Sequence, residues 1–81
     1  MREALLTELH RLHTTALGAE RIRKNLGLDA EDVVLWCREM IARATDIVRK
    51  GKNWYVSVGD IRITINAHSF TVITAHRHRV F

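Results

Sequence analysis

The chain has 81 residues, 47% hydrophobic and 27% charged, with no proline; such a composition excludes a disordered tail, and the size allows one domain burying roughly 60% of its unfolded surface. Thirteen Lys and Arg against nine Asp and Glu give a formal charge of +4, which attracts RNA, another polyanion or an acidic protein partner. No apolar run is long enough to span a bilayer, and the lone Cys37 excludes an internal disulfide. That single cysteine fits a reducing cytoplasm, which is the expected setting, without membrane contact; Met1-Arg2-Glu3 is not expected to open a signal peptide.

Leu5, Leu9, Leu12 and Ala16 form one apolar stripe, which predicts a helix over 2–16, broken at Gly18. A second short helix is expected over 19–26, stopped by Gly27. Asp29 is the expected N-cap of a third helix, with Glu31 and Asp32 in its first turn, where the helix dipole favours negative charge. Val33, Trp36, Cys37, Met40, Ile41, Ala44 and Val48 recur at spacings of three and four, extending this helix to about Arg49. From Asn53 the period changes to two. Trp54, Val56 and Val58 alternate with Tyr55 and Ser57, Gly59-Asp60 fits a two-residue hairpin turn, and Ile61, Ile63 and Ile65 alternate with Arg62, Thr64 and Asn66. A second tight turn over 66–69 would set Ile65 opposite Phe70, Ile63 opposite Val72 and Ile61 opposite Thr74. The expected fold class is α+β: three N-terminal helices (2–49), then a three-stranded antiparallel β-meander (53–77), two layers in a single domain over 1–81.

Charge is uneven along this layout. Residues 1–42 carry six bases and seven acids; residues 43–81 carry seven bases with only Asp46 and Asp60, for a net of +5. The polar face of the meander would present Arg62, Thr64, Asn66, Ser69 and Thr71 with Tyr55 and Ser57. That mix suits a phosphodiester or a base, and it is also what a solvated sheet face carries.

Five histidines are present. His10 and His13 stand at i, i+3 and His76 and His78 at i, i+2, but no closed ligand motif or second cysteine accompanies them, so neither metal nor cofactor is expected. Surface or satisfied core histidines are one reading, and acid–base residues the other. Metal-free RNA cleavage needs a base for the 2′-hydroxyl, an acid for the leaving oxygen and a cation for the phosphate, roles that imidazole and guanidinium suit. Cys37 falls on an apolar stripe and reads as core. Residues 19–41 imitate a helix-turn-helix, yet Asp29, Glu31 and Asp32 would meet phosphates badly.

Three segments carry a resemblance: 12–26 (LHTTALGAERIRKNL), 51–56 (GKNWYV) and 63–76 (ITINAHSFTVITAH). Together they resemble a small uncharacterised bacterial domain family, which implies no activity. The layout is also similar to the barnase, EndoU, colicin and RelE-like ribonuclease group. That likeness implies site residues at His13 and Arg21 on the helical part and at Asn66, Ser69, Thr74 and His76 on the sheet.

The expected function is a small basic RNA-directed domain, whose catalytic form is a metal-independent endoribonuclease of toxin or phage–host conflict type. In it His13 and His76 exchange protons with Arg21 and Thr74 beside them, and Arg62, Tyr55, Asn66, Ser69, Arg77 and Arg79 bind the nucleic acid. One alternative is a protein-binding inhibitor or antitoxin-like module contacted through Arg77, Arg79 and Phe81; another is nucleic-acid binding without catalysis. A homodimer through an edge strand is a further expectation, with 53–58 and the C-terminal strand as candidates.

Overall fold

Two glycines at positive φ fold the second half of the chain. Gly51 and Gly59, both at φ 60°, open the two-residue turns that join β1 (Asp46–Lys50) to β2 (Asn53–Val58) and β2 to β3 (Ile61–Asn66). A positive φ at the first turn position is what a type II′ hairpin requires. Residues 67–71 then lead to β4 (Val72–Arg77). The strands form one antiparallel sheet in the order β1-β2-β3-β4. The computed structural model describes residues 2–77.

The α+β class and the antiparallel sheet agree with the sequence reading, but the sheet has four strands where three were expected. The extra strand occupies the stretch that helical spacing assigned to the end of the third helix. That helix, α3 (Val33–Ala42), stops seven residues short of Arg49. Thr45, Ile47 and Val48 are β-branched and lose side-chain freedom in a helix, while Gly51-Lys52 turns the chain back onto β2. Pairing with β2 gives residues 46–50 a complete ladder on one side, which a fraying last helical turn could not match.

The N-terminal helices also differ in their limits. The predicted helix over 2–16 is a short α1 (Arg2–Thr7) followed by a 3-10 turn at Leu9–Arg11, after which the chain extends past His13. Gly18 lies inside α2 (Ala16–Leu26) and does not break it. The Thr15 hydroxyl caps α2 by accepting from the Gly18 N–H at 2.9 Å. A Cβ on Gly18 would stand 2.5 Å from Thr14 Oγ1, whose hydroxyl donates to the Val72 carbonyl at 3.0 Å, so glycine here permits a close approach. Gly27, at φ 63°, ends α2 as expected. Asp32, and not Asp29, caps α3 by accepting from the Leu35 N–H at 2.9 Å.

The third hairpin corrects the expected register. Ile65 faces Val72, Ile63 faces Ala75 and Ile61 faces Arg77, with a bulge at Ile73 between the Val72 and Thr74 pairings. Asn66 accepts from the Phe70 N–H at 2.8 Å and donates its own N–H to Thr71 at 2.9 Å, so the loop is longer than a tight turn. Phe70 closes it at φ 61°, a backbone region that bulky residues avoid.

α2 lies against β4 and α3 against β2, and the core fills the space between. Leu5, Ile22, Cys37 and Ile41 from the helical side meet Val56, Ile63, Ile65, Val72 and Ala75 of the sheet. Cys37 is wholly buried, and desolvation pushes its thiol from the ordinary 9.0 up to about 12. A thiol reagent at mildly alkaline pH is therefore expected to label Cys37 only in urea-unfolded protein. The unfolded thiol ionises first, so its contribution to stability is complete below pH 9.0 and is lost as pH rises toward 12. The slope is about 1.4 kcal/mol per pH unit, and urea titrations of Cys37→Ala should lack it.

Candidate nucleic-acid interface

Alternation along each strand divides the side chains between two faces. Trp54, Val56, Ile63, Ile65, Val72 and Ala75 are committed to the helices. The complementary positions make three rows across the uncovered face. One row runs Asp46, Ser57, Arg62, His76, and the next Val48, Tyr55, Thr64, Thr74. The third runs Lys50, Asn53, Asn66, Thr71 across the hairpin, and finally His13, which bridges Thr71 in parallel. Successive rows lie about 7 Å apart and neighbouring strands about 4.8 Å.

A groove of about 620 Å³ crosses this face from the β1–β2 turn to Arg62, walled by Lys50, Lys52, Asn53, Tyr55 and Ser57. The Asn53 amide donates to the Tyr55 hydroxyl at 3.4 Å, which leaves the phenolic proton available. Arg62 stands between Ser57 and His76. It is half-buried, and its Nε–H is sealed from water without an acceptor among the described residues. Asp46, the one acid among the described residues of these rows, lines the β1 side of the same groove, two strands or about 10 Å from Arg62.

Other arginines are occupied in holding the fold. Arg38 donates to the carbonyls of Leu9, His10 and Leu12, and Arg23 to those of Ala30 and Glu31. The Arg49 guanidinium lies 5.6 Å from the Trp54 ring centroid. Arg11 pairs with Glu8 at 2.9 Å and stacks 4.3 Å over Phe70. Arg62 differs from these in facing the groove with no ion pair among the described residues.

A second polar cluster sits at the end of the third row. His13 Nδ1 is 2.9 Å from the Arg11 carbonyl and Nε2 is 3.0 Å from Thr71 Oγ1. In the neutral ring the carbonyl takes the Nδ1 proton, which makes Nε2 the acceptor of the Thr71 hydroxyl. Ser69 Oγ is 2.8 Å from Thr71 Oγ1 and 3.2 Å from Asn66 Oδ1. Asn66 Oδ1 also accepts from the N–H groups of His68 and Ser69, both at 2.9 Å, so its Nδ2 is left as a donor. This chain of hydroxyls ending on an imidazole can take up a proton, and it can anchor a phosphate or ribose oxygen.

The sequence-derived residues divide accordingly. Tyr55, Arg62, Thr74 and His76 converge on the open face, and Thr74 and His76 point away from the helices. Asn66, Ser69 and His13 meet at the end cluster. His13 and His76 mark opposite ends of β4, about 15 Å apart along it, too far to flank one phosphate. Arg21 is exposed on α2, in the helix layer behind the sheet. Arg77 falls in the helix-facing set opposite Ile61 and pairs with Asp60 at 3.2 Å. Arg79 and the contacts expected of Phe81 lie outside the described residues. Lys50, Lys52 and Asn53 are not among the site residues expected from the sequence, because a third helix running to about Arg49 leaves no strand beside 53–58 to wall a groove. The signal that exposes them is Gly51-Lys52 between β-branched Ile47-Val48 and the alternating 53–58.

Among the described residues, no group of three or more His, Cys, Asp or Glu is arranged to hold a metal, and no helix is long and apolar enough to cross a membrane.

Neither a curated protein nor a solved structure matches the chain. Residues 6–76 match the family model described as protein of unknown function, DUF3781, a span that takes in the helices from Leu6 onward, all four strands up to His76 and every motif segment noted in the sequence. With the greater part of its length so matched, the chain belongs to the DUF3781 family.

Proposed function

We propose that this domain binds single-stranded RNA across the open face of its sheet. The observation that carries the reading is the middle of that face: Tyr55 lies one row from Arg62, and the groove beside them is edged by Lys50 and Lys52. An aromatic ring offers a stacking platform to any base, and an unpaired guanidinium beside it takes a phosphate. The rows repeat about every 7 Å along the strands, a spacing suited to successive units of an extended nucleotide chain. Because His13 and His76 stand apart, the reading is of binding, and strand scission is not part of it.

Fluorescence anisotropy with a labelled RNA decamer tests it. Affinity is expected to fall steeply as salt rises, a duplex of the same length should bind more weakly, and Tyr55→Ala should weaken binding about tenfold through lost stacking. Equal binding of polyglutamate would redirect the reading to an acidic protein partner. No binding at low salt, or affinity indifferent to Tyr55→Ala, would overturn it.

A further inference from the structure

Among the described residues β1 pairs only with β2, with α1 beside it, and so forms one edge of the sheet, whereas the β4 edge is met by His13. This corrects the edge-strand expectation, since 53–58 is an interior strand. We infer that β1 is a self-pairing edge whose partner is a second copy of this chain, joined antiparallel about Val48.

Three features select that partner and that register. The first is which backbone groups are free. A two-residue turn closes on a hydrogen-bonded pair, here Lys50 and Asn53. The alternation of an antiparallel ladder then turns the N–H and C=O of Val48 toward β2 and those of Ile47 and Arg49 outward. Among the described residues, no backbone bond outside the β1–β2 ladder reaches either one. Pairing about Val48 sets Ile47 of one copy against Arg49 of the other, so the outward groups satisfy each other.

The second feature is charge. The same register sets Asp46 opposite Lys50 of the second copy and Lys50 opposite its Asp46, so one two-fold axis makes two opposite-charge contacts on the open face. Centring on Arg49 would oppose two guanidinium groups, and centring on Ile47 would leave Asp46 facing Val48. The third feature is apolar exposure. Val48 is 45% exposed on the open face, and at the axis it meets its own copy in the closer, non-hydrogen-bonded kind of pair.

The dimer joins two four-stranded sheets edge to edge. The groove opens toward β1 through Asp46, Val48 and Lys50, so the two grooves become continuous across the axis. Asp46, the one acid among the described residues of the open face, is then neutralised by the second copy. The pairing needs no ligand and does not rest on the RNA reading, though it turns Lys50, at one edge of the groove, toward Asp46 of the second copy.

Sedimentation equilibrium of the full chain at about 100 μM, a range suited to small interfaces, should give a mass approaching twice 9.4 kDa. Asp46→Lys and Lys50→Asp should each run as folded monomers by circular dichroism, since both positions are exposed and each reversal sets like charges together twice. An equimolar mixture of the two variants should recover a heterodimer, and the double variant Asp46→Lys/Lys50→Asp should dimerise alone. A monomeric wild type, a dimer surviving both single reversals, or a mixture that stays monomeric would overturn the inference.

Discussion

Phe70→Ala is expected to lower the unfolding free energy by about 3–4 kcal/mol, a large share of the roughly 4–12 kcal/mol typical of a chain this size. The Phe70 side chain is buried, its ring centroid 5.1 Å from that of Trp54 at 55°, and the Arg11 guanidinium covers its other side. Removing the ring leaves a cavity beneath a loop and strips both partners of their contact. The backbone makes the site unusual. Phe70 holds φ 61°, where a side chain costs roughly 1–2 kcal/mol that glycine avoids. Phe70→Gly should therefore be no less stable than Phe70→Ala, the reverse of the order at an ordinary buried position. Urea titration of the three proteins measures both effects. A loss below about 1 kcal/mol in Phe70→Ala would mean that the ring contributes little to the core. The Phe70 carbonyl also accepts from the His13 N–H at 3.2 Å, so both variants should loosen the His13–Thr71 contact.

Arg62→Ala should weaken RNA binding by about 10–100-fold, the worth of one charge-assisted contact, while leaving the melting temperature unchanged or slightly raised. The two halves of this prediction share one cause. The guanidinium is half-buried on the open face, has no ion pair among the described residues, and its Nε–H lacks an acceptor. Such a group contributes little to the fold and gains most when an anion arrives. Anisotropy with the RNA decamer gives the first half, and calorimetry of the free proteins the second. An Arg62→Ala variant that binds normally would remove the groove from the interface. One that melts several degrees lower would make Arg62 a structural residue.

The α+β class, the β2–β3 hairpin and most of the core follow from local patterns, because Trp54-Val56-Val58 and Ile61-Ile63-Ile65 alternate cleanly about Gly59-Asp60. The error over 45–50 has an equally local origin. Ala44 and Val48 satisfy a helical spacing and a strand alternation at once, and six residues cannot separate the two periods. The register of β4 was hidden for a different reason. A bulge at Ile73 and a phenylalanine at positive φ leave no mark that a periodic reading can detect.

For the site, the residue types were evident but their grouping was not. Arg62, Tyr55, Thr64 and Asn66 could be assigned to one face by counting in twos, since that depends only on neighbouring residues. That His76 joins them, that His13 reaches Thr71 from 58 positions away, and that Arg21 ends up behind the sheet depend on where separate elements dock. Local alternation can tell which side of its own strand a residue occupies. Only the assembled chain decides which strands share a face and which end of β4 each histidine meets, because those distances are set by hydrogen-bond register and core packing between segments far apart in sequence.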